Sequence, residues 1–425
     1  MNPSAASKNA RFFIKLGLAL AAIILIYLLP QIFTSRFAHS ILNQMGIAII
    51  FALSYNMLLG QGGMLSFGHA VFYGLGGFMA IHGINMVNNG TVPIPTELMP
   101  LVGGLFSCLF GLFFGFISTR RAAIPFALIT LGIGELIASS ALILPSFFGG
   151  EEGISGDRWT DVTLSPFNFG RASEVYLLIA TWMLLSVALM YLLTRTPLGR
   201  MANAVRDNPE RAHFIGYDPH KVRTLQFTLS AFFAGIAGGL FAINYEIVTV
   251  HVVGMMPSAE VLMMTYIGGV GHFFGPILGA VLITFLQLVL ANITHAWLLY
   301  FGLLFICMVL WAPNGLSGLI MLHEPAWKAG LVRRLVPAYA MALAPALILF
   351  SGALILVEIN YHLSLSIDPE SPMSLFGIEF HGQSAAAWSL SIALLLLGFF
   401  WLRKAAGKVR TAWDEVTQKM KEGSS

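Results

Sequence analysis

Charge is what this chain has least of. Only 10% of its 425 residues are Asp, Glu, Lys or Arg, whereas 57% are hydrophobic, and the mean hydropathy is +0.79. Such a composition excludes an ordinary soluble domain and makes the chain a polytopic membrane protein. Cysteine is also scarce: Cys108 and Cys307 are the only two, each inside an apolar run. That excludes a disulfide framework or a cysteine metal cluster, and both read as packing residues. No G-x-x-x-x-G-K-[ST] phosphate loop occurs, and the 11 histidines form no H-E-x-x-H pair. No catalytic residue, metal ligand, cofactor or nucleic-acid partner is therefore expected. Any energy drawn from ATP comes from another chain.

The hydrophobic runs are long enough to span a bilayer, which takes about 20 apolar residues in a helix. They fall at 13–33, 41–59, 64–84, 100–118, 123–145, 175–193, 225–245, 257–270, 275–293, 297–312, 337–357 and 385–402. The expected fold is an all-α integral membrane bundle of about 10 to 12 segments. Lys8, Arg11 and Lys15 precede Leu16–Leu29, and Thr34-Ser35-Arg36-Phe37 fits a cleavage site poorly. The start therefore reads as an uncleaved first span. Gly268-Gly269-Val270-Gly271-His272 and then Gly275-Pro276 interrupt the run from 257 to 293, so that region reads as a broken or re-entrant pair.

Charge asymmetry supports the break. With both termini in the cytoplasm, the inner loops hold Arg120, Arg121, the basic 195–223 segment, Lys328, Arg333, Arg334, Arg403, Lys404, Lys408 and Arg410. The outer loops 85–99, 246–256 and 358–384 hold no Lys or Arg, and 146–174 is acidic. A single crossing at 257–293 would invert Lys328, Arg333 and Arg334 against the positive-inside rule. Small residues recur at every fourth position, as in Gly103-Ser107-Gly111-Gly115, Thr130-Gly134-Ala138, Ser230-Ala234-Gly238-Ala242 and Gly271-Gly275-Gly279. These stripes read as helix-packing surfaces.

The segment from Thr196 to Arg223 is the most polar interruption, with Arg200, Arg206, Arg211, Lys221 and Arg223 between two apolar runs. It cannot lie in hydrocarbon. Thr196-Pro197 and Asn208-Pro209 each read as N-cap and first residue of a helix, and Gly216 as a C-cap. Two short helices joined at Asp207–Asn208 would form a knob on the inner face that a cytoplasmic partner grips.

Within the spans, Ser66, His69 and Tyr73 fall at helical spacing on one face of the third. They line a solute path or form an interhelical hydrogen-bond cluster. Glu135 is read as the acidic residue in the interior of a span; it meets a substrate ammonium, pairs with His69, or is hydrogen-bonded only. Asn56 and Asn244 are weaker candidates of the same kind. The glycine-rich acidic loop 146–174 reaches a soluble partner or is a plain connector.

Several segments resemble the M-type permease subunits of branched-chain amino-acid ABC transporters. They are Leu53-Ser54-Tyr55-Asn56-Met57-Leu58-Leu59-Gly60-Gln61-Gly62-Gly63, Leu128 to Glu135, Gly149 to Ile154, Pro197-Leu198-Gly199-Arg200, Arg206-Asp207-Asn208 with Gly216, Ser230 to Gly238, Gly268 to Gly271 and Trp311 to Leu316. They run in order from about residue 40 to 320. One stretch departs from the pattern: Arg120-Arg121-Ala122-Ala123-Ile124-Pro125-Phe126 lacks the glycine of the family's Arg-x-x-Gly-x-Tyr/Phe-like approach to the fifth span.

The resemblance implies an importer-permease core over 1–322 and an extension over 323–425 with two further spans. It also implies two cytoplasmic ATPase subunits that bind the ATP, a second homologous permease, an extracytoplasmic solute-binding protein and a place in the bacterial inner membrane. The coupling residues would be Gly199, Arg200, Ala204, Arg206, Asp207, Asn208 and Gly216, and the path would run near Asn56, Ser66, His69, Tyr73 and Glu135. The expected solute is a branched-chain amino acid; urea, short amides or an ion-coupled secondary transporter are the alternatives.

Overall fold

The computed structural model describes residue 17 and residues 20–159, 162–294, 296–365, 373–375, 378–380 and 384–422. Lys8, Arg11 and Lys15, and Asp161 of the acidic loop, lie outside the described residues. Almost everything described is helix, and nine of these helices are long and apolar enough to cross a membrane. The chain is a multi-pass, all-α membrane protein. It divides into two compact units, Met1–Val289 with Cys307–Gly318, and Leu290–Ile306 with Leu319–Ser425.

The first unit is built around α10 (Pro219–Tyr245), against which α2 (Arg36–Asn56), α3 (Ala70–Asn88) and α4 (Met99–Ser118) pack. Apolar side chains gain nothing by leaving lipid for one another, so close backbone approach holds such helices together. Glycine supplies it here. A Cβ on Gly235 would overlap Ser107, one on Gly238 the Tyr73 carbonyl, and one on Gly76 the backbone of Gly235. The stripe Gly103-Ser107-Gly111-Gly115 does face α10, meeting Gly235, Ala231 and Phe227 in turn. Ser107 also donates to the Phe72 carbonyl at 2.6 Å, tying α4 to α3.

The remaining long elements of this unit are α5 (Ile124–Ile143) and α7 (Ala172–Arg195), with the short α1 (Leu20–Ile32) before them and α6 (Pro145–Phe148) between them. α11 (Met255–Gly268) and α12 (Gly275–Ile293) are separate helices, as the glycine run between them demands. They form a tight hairpin in which Gly268 abuts Gly275 and Gly279 abuts the Met264 carbonyl. Gly271, by contrast, has open space around its Cα and takes no part in that packing.

The loops at one end of this unit are tied to each other. Ile154–Ser155 (β1) pairs antiparallel with Ile247–Val248 (β2). Asn85 and Asn88 donate to the Ser155 and Asp157 carbonyls at 3.0 and 2.7 Å. Arg158 donates to the carbonyls of Phe169 and Asn244 at 2.7 and 3.0 Å. At the other end, Thr119 meets Thr224 at 2.8 Å and His220 meets the Phe116 carbonyl at 2.9 Å. The acidic loops and the basic segment thus occupy opposite ends.

The third predicted span is corrected. α2 continues into a π-helical turn, Met57–Gln61, and α3 begins only at Ala70. Gly63 adopts φ 63° and Gly68 packs against the Thr130 carbonyl, so residues 62–69 run as irregular backbone through the interior. Their polar groups are met by side chains from elsewhere: Thr130 accepts from the Phe67 amide at 3.2 Å and Ser258 from the Ala70 amide at 3.0 Å. Irregular backbone is tolerated at membrane depth only where protein satisfies it in this way.

The second unit centres on the hairpin of α15 (Val336–Leu365) and α16 (Ala385–Glu422), closely packed at Gly352 and Gly398. Glu358 accepts from Thr294 and Tyr300 at 2.7 and 2.8 Å. Tyr339 joins His323 and Trp413, at 2.7 and 2.8 Å. α13 (Trp297–Trp311) and α14 (Gly315–Lys328) run from one unit into the other. Met373–Leu375 (β3) and Ile378–Phe380 (β4) form a short antiparallel pair. α16 runs 20 residues past the expected end of the last span at 402, because the apolar run gives way to a charged, helix-favouring stretch.

Candidate functional site

Two places in the first unit concentrate polar groups. One is a cavity of about 200 Å³ bounded by α2, α3, α10, α11 and α12. Its polar lining consists of Gln44, Tyr73, Tyr245, Glu260, Thr284 and Gln287. Aromatic rings wall it: Phe51 stacks on Tyr73 with centroids 4.4 Å apart, and Phe241 lies 4.5 Å from Tyr245. Gln287 donates to Glu260 at 3.3 Å, which links α12 to α11. Beside the cavity, Asn43 donates to Asn244 at 2.8 Å across α2 and α10.

The other is the basic segment. α8 (Pro197–Asp207) starts at Thr196, whose hydroxyl accepts from the Gly199 amide at 3.4 Å. α9 (Pro209–Phe214) starts at Asn208, whose side chain accepts from the Arg211 amide at 2.9 Å. Proline at the first position of each helix needs no amide partner, so both starts are fixed locally. Gly216, with φ 94°, ends the pair. Ala202, Val205, Ala212 and Val222 form a small core that welds α8 and α9 to the base of α10. Outside that core, Arg200, Ala204, Phe214 and Ile215 are exposed, Phe214 at 87%. A groove of about 410 Å³ runs between the two helices, lined by Arg195, Arg200, Met201, Ala204, Ile215 and Tyr217.

Residues 37–312 match the family model described as branched-chain amino acid transport system / permease component. The chain belongs to that family. Relatives of the permease include the high-affinity branched-chain amino acid transport system permease protein LivM of Salmonella typhimurium. It is 29% identical over 326 residues, which are 71% of this chain and 75% of that one. BraD of Pseudomonas aeruginosa, of the same description, is 24% identical over 68% of this chain and 98% of its own. The autoinducer 2 import system permease protein LsrC of Yersinia enterocolitica is 31% identical over 43% of this chain and 52% of its own. No solved structure matches the chain.

Of the residues expected along the permease's path, the structure brings only Tyr73 to the cavity. Ser66 and His69 precede α3 and do not share a helical face with it. Asn56, Ser66 and His69 are all fully buried. His69 meets the Ser54 hydroxyl at 3.0 Å and stacks on Phe51 at 5.6 Å, the geometry of an interhelical link. The Ser66 carbonyl accepts from Tyr55 at 2.8 Å, while its hydroxyl and the Asn56 side-chain oxygen have no partner among the described residues.

Glu135, read from sequence as the acid in the interior of a span and near the path, is exposed on α5 and does not line this cavity. The carboxylate that does face the interior is Glu260, which sequence reasoning passed over. It lies near the start of a short helix, and only the fold shows that α12 closes over it. Gln44, Tyr245, Thr284 and Gln287 were missed for the same reason. Single polar residues in apolar runs carry no signal of where they converge.

The coupling candidates stand together. Gly199, Arg200, Ala204, Arg206, Asp207 and Asn208 all lie on α8 or its end, and Gly216 closes α9. Gly199 is buried against the backbone of Leu193 and Thr194 at the bend between α7 and α8. Arg206 reaches inward and donates to the Gly60 carbonyl on the π-turn of α2, its guanidinium held by Asp207 at 2.9 Å.

Proposed function

We propose that this permease is the membrane-spanning subunit of an ATP-driven importer for amino acids, most specifically the branched-chain ones. ATP is hydrolysed on two separate cytoplasmic subunits that seat against α8 and α9. A second homologous permease completes the channel, and an extracytoplasmic binding protein delivers the solute. The assembly sits in a bacterial inner membrane with both termini in the cytoplasm. The reading is carried by the family match over residues 37–312, which takes in both the cavity and the basic segment. The names of LivM and BraD support branched-chain amino acids as the solute.

In mechanism, nucleotide-driven closure of the motor subunits moves α8 and α9 together with the base of α10, because Ala202, Val205, Ala212 and Val222 share one core. Arg206 passes that movement to the Gly60 turn and hence to α2, which lines the cavity higher up through Gln44, Ile47 and Phe51. The irregular 62–69 backbone and the glycine contacts between α3, α4 and α10 are the surfaces across which α2 shifts.

The test is uptake of radiolabelled leucine into proteoliposomes that hold the chain with its ATPases, second permease and binding protein. Uptake requires ATP and survives collapse of ion gradients. Uptake driven by an ion gradient without the ATPases would identify a secondary transporter instead, and competition by urea or acetamide would shift the solute class.

A further inference from the structure

The cavity holds a carboxylate and no cation. Glu260 is the sole charged side chain among the described residues that line it, and no Arg, Lys or His is there to pair with it. One of its oxygens accepts from Gln287 at 3.3 Å, and no described residue donates to the other. Thr284 supplies a second, independent sign of a missing partner: the residue is 3% exposed and lines the same cavity, and its hydroxyl has no hydrogen-bond partner among the described residues. A buried hydroxyl of this kind is costly to leave unmet. A carboxylate in a cavity that Tyr73 and Tyr245 also line attracts a compact organic cation through charge and hydrogen bonding.

We propose that this cavity is the ammonium-binding subsite for the transported amino acid. Glu260 accepts from the α-ammonium, Thr284 supplies a second acceptor, and Gln287 holds the Glu260 carboxylate in place. Phe51, Phe241 and Met264 face the aliphatic side chain. The substrate carboxylate meets no positive charge among the described residues that line this cavity. The inference rests on the amino-acid reading above and goes further by assigning which end of the zwitterion this cavity holds.

The experiment is equilibrium binding of radiolabelled leucine to the purified complex of both permeases and both ATPases, without the binding protein, with 3-methylbutylamine and 4-methylpentanoate as competitors. The amine, which keeps the ammonium and the side chain, competes; the acid, which lacks the ammonium, does not. Glu260→Gln weakens binding of leucine and of the amine at least about tenfold, and Thr284→Val about threefold. Glu260→Asp keeps part of the affinity. Co-elution of the subunits checks assembly, and if Glu260→Gln fails it, Glu260→Asp and Thr284→Val carry the test. Unchanged leucine binding in an assembled Glu260→Gln complex, or competition by the acid alone, overturns the subsite. A wild-type complex that imports no branched-chain amino acid overturns the function reading instead; loss of amine binding on Glu260→Gln would still uphold the subsite.

Discussion

Arg206 of α8 donates its guanidinium N–H to the carbonyl of Gly60, 146 residues earlier in the chain, on the π-turn that ends α2. The aliphatic part of the same side chain lies over Gly63, where a Cβ would sit 2.6 Å from Arg206 Cγ. The contact joins the α8–α9 knob to the helix that forms one wall of the cavity. Arg206→Ala removes a charge-assisted bond worth about 1 to 2 kcal/mol at this half-exposed site. Leucine uptake by the reconstituted complex is expected to fall about five- to thirtyfold. Arg206→Lys, which cannot reproduce the planar fork held by Asp207, recovers less than half of that loss. Uptake rates at saturating ATP and binding protein check both.

Ala123 adopts φ 57° and ψ −130° at the entry to α5, backbone that favours glycine. A residue with a Cβ held there stores about 1 to 3 kcal/mol of strain. Ala123→Gly is therefore expected to raise the thermal midpoint of the detergent-solubilised protein by a few degrees, read by dye-monitored melting.

The α3–α4–α10 contact depends on missing side chains. Gly238→Ala drives a methyl group into the Tyr73 carbonyl, and overpacking of this kind costs about 1 to 3 kcal/mol or more. Gly132→Ala on α5 meets nothing within 4 Å. The first variant should melt several degrees lower or fail to accumulate in the membrane, and the second should match wild type.

Asn208 closes α8 and opens α9 at once. Asn208→Ala removes the acceptor for the Arg211 amide, and an N-cap of this kind is worth about 1 kcal/mol. Hydrogen exchange at Arg211 and Ala212 should accelerate about fivefold while the amides of α10 keep their protection.

The knob was legible because its determinants are local. Thr196-Pro197, Asn208-Pro209 and Gly216 each fix a helix end through neighbours within three residues, and charge excluded them from lipid. The glycine stripe on α4 was legible because close approach in a bilayer leaves a four-residue period. The start of α3 was not. Residues 64–69 are as apolar as a helix, and hydropathy says nothing of a φ of 63° at Gly63 or of a cap supplied by Ser258 from 188 residues away. Glu260 and Glu135 show the same limit from two sides: each is one acid in an apolar run, and only the packing of α12 over α11 makes the first interior while the second faces outward.

The central claim is that α8 and α9 lie on the cytoplasmic face under the motor subunits. It is tested most directly by placing a single cysteine at Phe214, 87% exposed at the end of α9, in a chain whose Cys108 and Cys307 are replaced by serine. A membrane-impermeant maleimide is then applied to intact cells and to inside-out vesicles. The account predicts no labelling in intact cells, full labelling in vesicles stripped of the ATPases, and protection when the ATPases are bound. Labelling of intact cells, or labelling that the ATPases do not change, would contradict it.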